Sequence, residues 1–218
     1  MNLQSHISNE CLPLLPNYTI GMAAALFAKT TCSHIPVVDD EKLLGLLSEE
    51  DVEGFDSEKK LSDYLYLLDH FFVSKHTVWL DVLEAFARSD SNVMPVLDRK
   101  GNYLGYYELV DIIGLFRETP FLSEQGGVLI VEKGTNDYSF SEISQIVESN
   151  EGRVLGAFIS DMHDDITQVT VKVGSSGLNE ILQTFRRYNY NVVSGTEDDA
   201  YLDELKKRSQ YLDRYLNI

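Results

Sequence analysis

Ser48 and Asp51 stand at i and i+3 in "GLLSEEDV", and Glu108 and Asp111 repeat that spacing in "GYYELVDI". A serine hydroxyl at the mouth of a helix can donate to a phosphate oxygen, beside backbone N–H groups that already favour negative charge. A carboxylate one turn further in has two acceptor oxygens, enough to take both hydroxyls of a ribose. The same residues also make a plain helix start. Ser48 would then be the N-cap, Asp51 would reach back to a backbone N–H, and Glu49 and Glu50 would suit the helix dipole. The spacing alone leaves both readings open.

The elements that position these residues are duplicated. The stretch "NYTIGMAAALFAKTTCSHIPVVDDEKLLGLLSEEDV" aligns with "KHTVWLDVLEAFARSDSNVMPVLDRKGNYLGYYELVDI". Ile35-Pro36-Val37-Val38-Asp39 matches Met94-Pro95-Val96-Leu97-Asp98, Gly45 matches Gly105, and Asp51 matches Asp111. Each copy reads as helix, strand, turn, strand, helix. In the second, Trp79, Val82, Leu83 and Phe86 share one helical face. "MPVLD" and "YLGYY" are short apolar strands, and "RKGN" turns between them with Gly101 free to take a positive φ. The first copy has "DDEK" there, without glycine, which predicts a longer or different turn. One copy is too small to bury a core, so the two must pack together.

The pattern "HIPVVDDEKLLGLLSEED" and "VMPVLDRKGNYLGYYELVD" resembles the CBS domain pair, the tandem module that binds adenosyl ligands in many regulatory proteins. The resemblance covers roughly residues 1–120 and implies CBS units at 1–62 and 63–122. It implies that Ser48 and Asp51 sit at the phosphate and ribose positions of one site, and Asp111 at the ribose position of the other. Adenine would lie against the strands, at His34, Ile35 and Pro36 in one copy and Val93 and Pro95 in the other. Glu108 departs from the pattern, because a serine or threonine is preferred there. A carboxylate facing phosphate repels it and removes a donor. A nucleoside or a cationic ligand such as S-adenosylmethionine would meet less resistance there than ATP. Lys75 and His76 offer local positive charge, while His34 and His76 also suit packing and loop roles.

After Pro120, Ser123, Gly126 and Gly127 the pattern changes. Strand "GVLIVEK", helix "FSEISQIVESN", strands "RVLGAFISD" and "ITQVTVKV", helix "GLNEILQTFRRY" and strand "YNVVSG" give βαββαβ, the ferredoxin-like order. Placed after a CBS pair, residues 126–195 resemble an ACT domain, and the arrangement resembles the acetoin utilization proteins. An ACT domain implies dimerisation or amino-acid binding. The glycine expected at the first strand–helix turn is replaced in "EKGTNDYSFSE" by the bulk of Tyr138 or Ser139, so a dimerising role fits better. Asp161, His163, Asp164 and Asp165 occupy a turn and read as turn residues rather than metal ligands. Residues 197–218 read as a C-terminal helix with Leu202, Leu205, Leu212 and Leu216 along a seam.

The fold class expected is therefore α+β: a CBS pair, an ACT-like domain and a C-terminal helix. The net charge of −17 opposes nucleic acid and anionic membranes, whose binding depends on Lys and Arg neutralising phosphate. No apolar run approaches the roughly 20 residues that span a bilayer, and "MNLQSHISNE" has no secretory pattern. Cys11 and Cys32 read as reduced thiols of a cytoplasmic protein, with a disulfide as the alternative. No Gly-x-Ser-x-Gly, His-Glu-x-x-His or phosphate-cradling glycine loop is present, so no catalytic residue and no required cofactor is expected. The functional expectation is a homodimeric sensor of AMP, ATP or S-adenosylmethionine acting on an unidentified protein target. The alternatives are a dimerisation scaffold with degenerate sites and an amino-acid sensor working through the ACT-like part.

Overall fold

The computed structural model describes residues 3–174 and 177–194. The chain is a mixed α+β protein of two units, Met1–Phe116 and Arg117–Ile218. The helix expected over 197–218 lies outside the described residues. Among the described residues no helix is long and apolar enough to cross a membrane.

The first unit contains the duplication. Its first copy runs α1 (Ile20–Phe27), β1 (His34–Asp39), β2 (Lys42–Ser48) and α2 (Glu49–Gly54). The second adds a short leading strand, β3 (Val73–Ser74), then α3 (Trp79–Ser89), β4 (Val93–Leu97), β5 (Tyr103–Glu108) and α4 (Leu109–Arg117). Strands β1 and β4 are buried along almost their whole length, as their unbroken apolar runs require. Helix α3 buries Val82 and Phe86 and leaves Leu80 exposed, so the 3,4 spacing sets which face turns inward. One core gathers Ile20, Phe27, Ile35, Val37 and Leu47 together with Val93 and Tyr106 of the second copy. The other gathers Val82, Phe86, Met94, Val96, Tyr107 and Ile112.

The two hairpins match in register and in irregularity. His34 pairs with Ser48 and Val93 with Glu108, and each ladder shifts register at the same place, after Val37 and after Val96. Gly45 and Gly105 sit opposite these shifts with φ of 154° and 136°. Each hairpin is strapped along its outer edge by a segment that precedes the other copy's work. Ser8 exchanges both backbone hydrogen bonds with Tyr106 (2.8 and 3.0 Å), and Asp69 does the same with Leu46 (2.9 Å each). The first strap continues to Leu14, which pairs with β1 at Val37; the second continues into β3, which pairs with β4. Neither copy is sealed without the segment that leads into its neighbour.

The first hairpin turn corrects the sequence expectation in one respect. It is different, but shorter rather than longer: Asp39 pairs with Lys42 across two residues, Asp40 and Glu41, with φ of 44° and 66°. Two positive φ values in succession match the right-handed twist of a hairpin, although glycine or asparagine adopts them more easily. The Glu41 carbonyl accepts the Tyr103 N–H at 2.8 Å, so the turn is fixed against the second hairpin. Glu41→Gly keeps that carbonyl and removes the strain. We expect it to stabilise the first unit by about 0.5–1 kcal/mol in urea melts read by tryptophan fluorescence. Trp79 is the only tryptophan of the chain and reports this unit alone. In the second turn Gly101 takes φ 77°, as the sequence predicts, and the Asp98 carboxylate accepts the N–H groups of Lys100 and Asn102.

The second unit begins with the short α5 (Pro120–Ser123) and then runs β6 (Gly127–Gly134), α6 (Phe140–Ser149), β7 (Arg153–His163), β8 (Ile166–Gly174), α7 (Leu178–Arg187) and β9 (Asn191–Ser194). Its sheet has the antiparallel order β7-β8-β6-β9, so the βαββαβ element order read from the sequence is present. The sequence alternates Thr167, Val169, Val171 and Val173 with Gln168, Thr170 and Lys172; the first four are fully buried, but Thr170 is buried as well. The three valines share a core with Ile143, Ile146 and Val147 of α6 and Ile181, Leu182 and Phe185 of α7. Asp164 and Asp165 form the two-residue turn between β7 and β8, both at positive φ, and His163 Nδ1 lies 3.1 Å from Asp161.

Candidate functional site

Both strand–helix junctions are built from the hairpin upward. In the first, the β1–β2 register sets Ser48 beside His34 and α2 starts at the next residue. Ser48 Oγ accepts the Asp51 N–H at 3.1 Å and donates to Asp51 Oδ2 at 2.7 Å. The hydroxyl and the carboxylate are thus brought together and satisfy each other. The Glu49 N–H is taken by the Ser33 carbonyl at 3.0 Å. In the second junction Glu108 replaces Ser48 opposite Val93, and the Leu109 N–H is taken by the Asn92 carbonyl at 3.0 Å. Glu108 is half-buried and Asp111 is exposed.

The other residues drawn from the strands are deeper. Ile35, Pro36, Val93 and Pro95 are all buried, and Ile35 and Val93 belong to the first core. His34 is held on three sides. Its Nε2 lies 3.3 Å from Asp69 Oδ2, its Nδ1 lies 2.9 Å from Ser33 Oγ, and its ring meets Phe71 edge-on. This fits the packing role read for it. Lys75 and His76 follow β3 at the turn end of the second hairpin, because β3 pairs with Val96 and Leu97, away from the Val93–Glu108 end.

Between the two junctions lies a seam that the sequence reading did not assign. Ser33 N–H donates to Asn92 Oδ1 (2.8 Å), and Asn92 N–H donates to Ser33 Oγ (3.0 Å). Asn92 Nδ2 also donates to the Thr31 carbonyl at 2.7 Å. Ser33 and Asn92 occupy the same position in the two copies, one residue before β1 and β4. The repeat alignment could have paired them, although nothing in their types announced a mutual bond. An open cleft of about 480 Å³ borders this seam, with Ser33, Ser91 and Asn92 on its polar side and Leu83, Phe86 and Leu109 on its apolar side. That volume is within the usual range for small-molecule sites. Leu109 is the first residue of α4, so the cleft reaches the Glu108–Asp111 junction. A second cleft of about 510 Å³ has Asp69, Asp81, Glu84 and Arg88 on its rim.

In the second unit the segment from Lys133 to Ser139 is engaged internally. Lys133 Nζ binds Glu142 Oε2 at 2.7 Å and lies 4.4 Å from the Tyr190 ring centre. That lysine hydrogen bond holds the Glu142 carboxyl below its ordinary value. Ser139 caps α6, and its N–H donates to the Tyr190 hydroxyl at 3.2 Å.

Comparison with known proteins finds likenesses that cover about half of this chain. An uncharacterized protein of Methanocaldococcus jannaschii is 28% identical over 105 residues, which are 48% of this chain and 36% of that protein. The chain thus spans only about a third of that relative's length. Among solved structures, a CBS domain pair/ACT domain protein from Thermotoga maritima aligns with TM-score 0.49 and 16% identity, over 54% of this chain and 98% of its own. The CBS pair domain of a putative Mg2+ transporter from Shewanella oneidensis aligns with TM-score 0.48 and 25% identity, over 54% and 70%. The CBS domain family model matches residues 5–55, so the copy that carries Ser48 and Asp51 is similar to a CBS domain.

Proposed function

We propose that the first unit is a tandem CBS module that binds an adenosyl ligand of the AMP, ATP or S-adenosylmethionine class and acts as a regulatory sensor rather than a catalyst. The observation that carries this reading is the repeated strand–helix junction, whose first copy lies within the span that matches the CBS domain. Ser48 would meet phosphate, Asp51 and Asp111 the ribose hydroxyls, and the strand residues from His34 to Pro36 and from Val93 to Pro95 the adenine. The seam at Ser33 and Asn92 gives the ligand something to move: a ligand that prefers one packing of the two copies shifts the population toward it.

Calorimetry with AMP, ATP, NADH and S-adenosylmethionine tests the reading. At the first junction Asp51→Ala should weaken binding about tenfold or more, since each hydrogen bond to a charged acceptor contributes about 1.5–3 kcal/mol. Binding that Asp51→Ala leaves untouched would remove the ribose contact.

A specific observation supports a second reading, a dimerisation scaffold with degenerate sites. Ser48 and Asp51 already satisfy each other, and Glu108 occupies the second phosphate position. No thermal shift with any nucleotide, alongside a stable dimer, would favour it. Under either reading, residues 126–195 act as an ACT-like dimerising domain. Among the described residues β7 is an edge strand, and it exposes Phe158, Ile159 and Met162. Sedimentation equilibrium of the full chain should show a dimer that Ile159→Lys shifts toward monomer; a monomer at all concentrations would refute the dimer. The amino-acid reading is weakened by the internal engagement of Lys133 and Ser139.

A further inference from the structure

The sheet of the second unit has two faces, and α6 and α7 cover one of them. Leu129 and Val131 of β6 are fully buried in the core with those helices, so Val128 and Ile130, which alternate with them, lie on the opposite face. The run Val128-Leu129-Ile130-Val131 is apolar without a break, the pattern of a strand covered on both sides. Thr170 of β8 pairs with Ile130 on one side and with Phe158 of β7 on the other, which sets Phe158 on the same open face. The start of the unit already lies over part of this face. A β-carbon at Gly156 would stand 2.6 Å from the Phe121 ring, that ring's centre is 5.8 Å from the centre of the Phe158 ring, and Glu124 is ion-paired with Arg153. This shields the β7 side. On the β6–β9 side Val128 and Val193 are 44% and 48% exposed.

Two features indicate the occupant. The chain leaves β9 at Ser194, which pairs with Ile130 inside the uncovered area. Beyond it, residues 195–218 carry Leu202, Leu205, Leu212 and Leu216 at helical spacing, with Lys207 and Arg214 on the other side of such a helix. A helix over 197–218 would be about 33 Å long, and the eight residues of β6 span about 26 Å, so the one can cover the other from end to end. We propose that residues 197–218 form an amphipathic helix that docks, within the same chain, on the open face of this sheet over Val128, Ile130 and Val193. Its leucine seam meets β6 and β9, and its charged side meets solvent. The unit then has three layers, with β6 covered on both faces. Neither the adenosyl ligand nor pairing at the β7 edge enters this proposal.

Photo-cross-linking of the full-length protein tests it. Val128→p-benzoylphenylalanine puts a reactive ketone on the open face at an exposed position, and irradiation should give a product of single-chain mass whose linked peptide comes from 197–218. Val193→p-benzoylphenylalanine, on the neighbouring strand, should give the same link and repeats the test if position 128 does not tolerate the ketone. Adding Leu205→Lys and Leu212→Lys should abolish the link, whereas adding Lys207→Glu and Arg214→Glu should leave it, because the two pairs stand on opposite sides of a helix. A product of twice the chain mass, with a second copy on the face, would overturn the proposal. So would the absence of any link to 197–218, or charge reversals that remove the link as completely as the leucine substitutions do.

Discussion

Gly105→Ala is expected to destabilise the first unit by about 3 kcal/mol. A β-carbon there would stand 2.5 Å from the Ser8 carbonyl oxygen, 2.7 Å from Ile7 Cγ2 and 2.9 Å from Asn9 Oδ1. The Ser8 oxygen is backbone and accepts the Tyr106 N–H, so the strap can withdraw only by giving up both of its backbone bonds to β5. Overlap of this kind costs about 1–3 kcal/mol, and a non-glycine residue at φ 136° adds of order 1–3 kcal/mol. Gly45→Ala should behave alike, because its β-carbon would stand 2.6 Å from Leu68 Cβ beneath the other strap. Gly114→Ala is the control: it lies within α4, meets nothing within 4 Å, and should be neutral or stabilising by up to about 1 kcal/mol. Urea melts followed by Trp79 fluorescence read all three. If Gly105→Ala melts like the control, the strap does not press on β5.

Glu108→Ser should strengthen binding of ATP about tenfold while leaving adenosine nearly unchanged. The substitution restores at the second junction the hydroxyl that Ser48 supplies at the first. Two unit charges at 4 Å interact by about 4 kcal/mol at the effective dielectric near a protein surface, and about 1 kcal/mol in water. Glu108 is half-buried, so a gain of about 1–2 kcal/mol lies between these limits. Paired titrations with ATP and adenosine distinguish charge from shape. An equal gain for both ligands, or none for either, would mean that no phosphate approaches this carboxylate.

Local features of this protein were legible in its sequence for a simple reason. Strand and helix periods, a serine cap three residues before an aspartate, and a glycine in the second turn are satisfied within a few residues of chain. They leave a pattern there. The duplication, the inward faces of α3, α6 and α7, the βαββαβ order and the Ser48–Asp51 cap all belong to this class. The first hairpin turn belongs to it only in part, because Asp40 and Glu41 adopt a conformation their types do not favour and are fixed there by contact with Tyr103.

What the sequence determined by itself was therefore the set of elements and the two junctions that hold Ser48, Asp51, Glu108 and Asp111. Tertiary structure alone decided why Gly45 and Gly105 recur, since the cause is a strap crossing from Asp69 or Ser8 rather than anything in either hairpin. It alone decided that Ser33 binds Asn92 and that the Cys11 N–H reaches the Tyr106 hydroxyl. Such contacts join segments remote along the chain through backbone groups and small side chains. Those groups carry no period, so only the folded arrangement brings their partners into view.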